Sequence, residues 1–168
     1  MSHIWVHEKK NWSSLEKLPG RIRKQRVNVV TLDQFVESQM GKRPTFVRMD
    51  VEGHELEILS GAKKLLSQKR LKIMMEIHPH YLGDRGIDEL LKILKKNEFR
   101  IDKIFLEINP AIFKFRNLYN RYRKIFSFLP YGEIDKKYYS FPVLAKMLKK
   151  KNSDGWRVYF IQVFLKKD

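Results

Sequence analysis

The stretch Phe46-Val47-Arg48-Met49-Asp50-Val51-Glu52-Gly53-His54-Glu55 decides the fold. Four of its first six residues are apolar, and residues 50–55 then hold three carboxylates and a histidine. A buried run that ends abruptly in acids is the pattern of a central parallel strand. Such a strand delivers charged groups to the carboxyl edge of a sheet, where open α/β sheets bind their ligands. Gly53 permits a tight turn into a helix. Leu56, Ile58, Leu59, Ala62, Leu65 and Leu66 form that helix's apolar face. An acid after a strand is often only a cap or a first-turn charge that suits the helix dipole. Here a second strand ends the same way: Leu71-Lys72-Ile73-Met74-Met75 runs into Glu76-Ile77-His78-Pro79-His80. Two strands ending in acid and imidazole groups favour a site over a pair of caps.

Working outward, Val27, Val29 and Thr31 alternate as in a short strand. Thr31 or Asp33 caps a helix that reaches about Met40 and stops at Gly41. A strand over 45–51, a helix over 53–68 and a strand over 71–77 follow. Residues 86–97 are amphipathic, with Ile87, Leu90, Leu91, Ile93 and Leu94 on one side. Strands are expected at 101–108 and 156–165. No clear period marks residues 1–20, and Pro19-Gly20 reads as a turn. Strands alternating with helices at this spacing predict a mostly parallel α/β sheet with an antiparallel last strand.

The chain has 168 residues, the length of one domain, and 43% of them are hydrophobic, which excludes wholesale disorder. No apolar run approaches the roughly 20 residues of a membrane span, and residues 1–7 carry no signal-peptide core. Zero cysteines mean no disulfide and no thiolate metal site. A cytoplasmic location, perhaps peripheral to a membrane, is the expectation. The net charge of +16 is uneven: +5 over residues 1–26, +1 over 27–108 and +9 over 109–151. The expected organisation is a basic arm (1–26), a core (27–108), a basic aromatic helical insertion (109–155) and a last strand (156–168). Within the insertion, Phe115, Leu118, Tyr119, Tyr122, Ile125, Phe126 and Leu129 fall at helical spacing between Lys and Arg residues. Such a helix suits an anionic membrane interface or an acidic substrate, or it packs on the domain with a solvated basic face. Nucleic acid is the least favoured partner, because no nucleic-acid motif accompanies the charge.

Four elements in order carry a family resemblance: Val30-Thr31-Leu32-Asp33, Val47 to Glu55, Leu59-Ser60-Gly61-Ala62, and Met75-Glu76-Ile77-His78-Pro79. Together they resemble the FkbM family of S-adenosylmethionine-dependent methyltransferases. Arg48 stands where that family commonly has Lys, a cation of different geometry. The resemblance implies a class I methyltransferase (Rossmann-like) sheet, with S-adenosylmethionine as cofactor. It implies methyl transfer to an oxygen, typically a hydroxyl of a sugar or natural product. Asp50 would then end the fourth strand near the transferred methyl, and Glu76 would end the fifth.

An alcohol needs a base or a metal to remove its proton. Asp50, Glu76 and His78 are the expected catalytic residues, with His78 the better base near neutral pH. Arg48, Glu52, His54, Glu55 and His80 are the expected substrate contacts. The same Asp, Glu and His set could hold a hard divalent cation, although no metal is expected. The family's glycine-rich cofactor loop has no counterpart here. Only Gly20 precedes Thr31, and no D-x-G-x-N-x-G pattern exists. The expectation is therefore an incomplete sheet, from a truncated or split enzyme. Its central strand would present an open edge to a complementing chain or a second copy. The competing expectation is a non-catalytic module that uses the basic helix on anionic membrane or glycan phosphate.

Overall fold

The computed structural model describes residues 2–7, 21–39, 43–108, 132–151 and 159–167. The expected helix over 115–129, the Pro19-Gly20 turn and the helix end at Gly41 lie outside the described residues. The described elements, in order, are β1 (Ser2–His7), β2 (Arg21–Val27), α1 (Leu32–Gln39), β3 (Phe46–Met49), α2 (Glu55–Ser60), α3 (Lys63–Leu66), β4 (Lys72–Ile77), α4 (Pro79–Lys96), β5 (Arg100–Ile108), β6 (Gly132–Glu133), α5 (Phe141–Lys149) and β7 (Tyr159–Lys166). The fold is mixed α/β.

β1 and β2 form a separate antiparallel ribbon. The other five strands make one sheet in the order β3-β4-β7-β5-β6. β3 and β4 are parallel, and Met49 lies opposite Met75. β7 enters between β4 and β5 and is antiparallel to both. Three of the five strands therefore point the same way, yet only one of the four ladders is parallel. The intercalated last strand converts what would be a parallel contact into two antiparallel ones.

Strand β4 shows why these residues form a sheet. Ile73, Met75 and Ile77 are fully buried on one face, while Lys72, Met74 and Glu76 alternate onto the other. Ile161, Val163 and Leu165 repeat the pattern on β7. Leu59, Leu66, Ile87, Leu90, Leu94, Leu144 and Leu148 from the helices complete the same core. Each such side chain contributes about 1.5–3 kcal/mol on burial. Part of the segment expected as an insertion belongs to this core. Within 132–151, β6 pairs with β5, and Leu144 and Leu148 of α5 are fully buried.

The helix expected over 53–68 is broken into α2 and α3, and Asp33 supplies the reason. Its carboxylate accepts hydrogen bonds from the amides of Lys64 (2.9 Å) and Leu65 (2.9 Å), and so starts a new helix there. The Asp33 amide donates to the carbonyl of Gly61 (3.1 Å). A Cβ on Gly61 would lie 3.2 Å from Cβ of Thr31. Thr31 caps α1 itself: its hydroxyl accepts from the Gln34 amide (3.1 Å), and its own amide donates to Gln34 Oε1 (2.9 Å). That reciprocal pair is a capping box. Asp33→Ala should destabilise the protein by about 0.5–2 kcal/mol, the usual cost of a lost helix cap. Urea unfolding checks the value, and amide exchange should quicken at Lys64 and Leu65.

Candidate active site

The site forms where β3 and β4 end side by side. After Met49 the chain turns through two consecutive left-handed residues, Glu52 (φ 52°) and Gly53 (φ 99°). Position 53 needs glycine twice over. Its φ is unfavourable for a side chain, and a Cβ there would fall 2.4 Å from Cβ of Tyr81. Helix α2 then begins at Glu55, which is fully buried. On β4, the strand continues through Glu76 to His78, the residue before α4. Pro79 starts that helix from a position suited to its fixed φ.

His78 is 7% exposed and sits among three carboxylates. Its Nδ1 is 2.7 Å from Glu55 Oε1. Its Nε2 lies 3.7 Å from Glu52 Oε2 and 3.7 Å from Glu76 Oε1. Burial works against a charged ring, but the hydrogen bond and charge of Glu55, followed by the charges of Glu52 and Glu76, outweigh it. The His78 pKa is raised above the ordinary histidine value. Asp50 pairs with Arg48 (3.6 Å), and both side chains are well exposed. Asp50, Glu52 and His78 offer ligand atoms within 4.8 Å of one another, a spacing that could hold a metal ion.

The parallel pairing thus brings together Arg48, Asp50, Glu52, Glu76 and His78. Glu55 was expected to touch substrate. Its side chain is instead buried, and one of its oxygens meets His78. His54 also turns inward, with Nε2 buried and without a hydrogen-bond partner. His80 is exposed and stacks edge-on with Tyr81, with ring centres 5.6 Å apart. Two contributors were not anticipated from sequence. Gln162 of β7 donates to Glu76 Oε2 (3.1 Å), and its signal was a lone amide in an apolar strand. Tyr81 packs on Gly53, and nothing local in the sequence marks that contact.

A model of the methyltransferase FkbM domain matches residues 5–101, more than half of the chain. The chain belongs to the FkbM methyltransferase family. The hexuronic acid methyltransferase AglP of Haloferax volcanii is 38% identical over 52 residues, which are 31% of this chain and 21% of that protein. The chain thus spans about a fifth of the length of the curated relative it matches. No solved structure matches. The FkbM match contains β3, β4 and every site residue above except Gln162, which reaches Glu76 from beyond it.

The left-handed glycine at the strand ends could have let a ligand approach the backbone, but Tyr81 fills that space.

Proposed function

We propose that this chain carries the acceptor side of an S-adenosylmethionine-dependent O-methyltransferase, acting on a hydroxyl of a sugar or natural product. The observation that supports this most is His78 at the strand ends, with Nδ1 held by buried Glu55 and Nε2 lying between Glu52 and Glu76. An acceptor hydroxyl placed at Nε2 gives its proton to the ring, and the Glu55 carboxylate stabilises the resulting imidazolium. Asp50 and Glu76 orient that hydroxyl, and Gln162 keeps Glu76 in place. S-adenosylmethionine would supply the electrophilic methyl group when bound. Hexuronic acids are a fitting first acceptor to try, since AglP is named for them.

The test is transfer of labelled methyl from S-adenosylmethionine to hexuronic acids and neutral hexoses. Asp50→Asn and Glu76→Gln should each lower the rate by about 10–10²-fold, the scale of lost positioning. Full turnover in both variants would sink the reading.

A further inference from the structure

Glu55 is an unusual residue to find at zero exposure, since an unpaired buried carboxylate is costly. It lies on the apolar stripe of its own segment, in phase with Leu59, Ala62 and Leu66, all of which are buried. A single oxygen, Oε1, collects three contacts. The amide of Gly53 (3.3 Å) and the amide of His78 (3.3 Å) donate to it, and Nδ1 of His78 is 2.7 Å away. An oxygen that already accepts two N–H groups is not the proton carrier of the third contact, so the proton in that short bond belongs to Nδ1. Nε2 is then the nitrogen with a free lone pair. Its neighbours Glu52 Oε2 and Glu76 Oε1, both at 3.7 Å, lie beyond hydrogen-bond range. Among the described residues, Tyr81 also faces the ring, at 6.4 Å between ring centres.

We propose that Glu55 is the positioning residue of this site: it locks His78 in the Nδ1–H tautomer and joins the β3 turn to the end of β4, so that Nε2 meets the acceptor. The proposal deepens the reading of His78 as the base and rests on it. A Glu55 that only neutralised a buried charge would leave the tautomer free. One that only filled space could be replaced by Gln without changing the ring.

The tautomer is read directly, without turnover, from nitrogen NMR of the histidine-labelled protein, with His78→Asn identifying the signal. Above the ring's inflection the wild-type protein should show Nδ1–H, and an Nε2–H ring would overturn the proposal. Because this needs no variant to fold other than the one used for assignment, a failure of Glu55→Gln to fold leaves the result standing. If Glu55→Gln folds, it should mix the two tautomers and move the ring's inflection down. It should also cut kcat by about 10²-fold or more, with KM for the acceptor nearly unchanged. An unchanged tautomer and inflection in that variant would also overturn the proposal. Undiminished transfer by His78→Asn would strike at the base reading alone, since the tautomer result does not depend on turnover.

Discussion

His78→Asn should cut methyl transfer by about 10²–10⁴-fold, the range for losing a positioned general base. Asparagine is the informative replacement because its amide can still donate to Glu55, whereas alanine would leave a buried carboxylate unpaired. The pH dependence carries the same assignment. A base must be neutral, so wild-type transfer should rise as pH climbs through the raised pKa of His78, with an inflection above about 6.5. Stability should move the other way. A pKa raised in the folded state means that the charged ring stabilises the protein fully below about pH 6.5, and that this contribution is lost as pH rises through the folded value. Urea unfolding across that window should therefore show a decline in wild type that His78→Asn lacks. A rate profile that is flat from pH 6 to 9 would remove His78 from the chemistry.

The second large effect is expected at Gly53. Gly53→Ala should lower stability by about 2–6 kcal/mol. About 1–3 of this comes from the backbone conformation and about 1–3 from forcing a Cβ against Tyr81. For a chain of this size each kcal/mol lowers Tm by roughly 2–4 °C. Gly83→Ala shows a backbone cost without a clash. Gly83 also has a positive φ (64°), but a Cβ there would meet nothing within 4 Å, so it should show the conformational cost alone. A Gly53→Ala loss that is unchanged in a Tyr81→Gly background would show that the Tyr81 contact is not the cause. A displaced Tyr81 would also shift the first turn of α4, which begins directly after His78.

The strand ends were legible because their signal is local. Mainly apolar runs at 46–49 and 71–75 lead into Asp50 and Glu76, and the parallel ladder brings the two strand ends side by side. What escaped notice is long-range or leaves no periodicity. The first ribbon strand, Ser2–His7, pairs with a strand whose residues 23–26 are exposed. Exposed positions in a row leave no alternation to read. The split between α2 and α3 depends on Asp33, about 30 positions upstream, so helical spacing alone ran straight through Gly61. The strand expected over 27–31 lies earlier, at Arg21–Val27, and Val29 and Val30 are exposed coil. Helix α4 begins at Pro79 rather than near Gly86, because Gly83 (φ 64°, ψ 177°) kinks it and hides its first turn from a periodicity reading. Glu55 was assigned to substrate by its company of acids. Its phase with Leu59, Ala62 and Leu66 was the available clue that it faces inward.

The position of β7 has a consequence for how the protein is made. The last of the described strands sits in the middle of the sheet. From the time β5 leaves the ribosome until Tyr159–Lys166 follows, roughly 50 residues later, β4 and β5 each wait with an unpaired edge. At about 5–20 residues per second that wait lasts some 3–10 s. It is long enough for an unpaired edge to meet another chain. During that interval both edges stand open, and the nascent protein is a natural client for a chaperone.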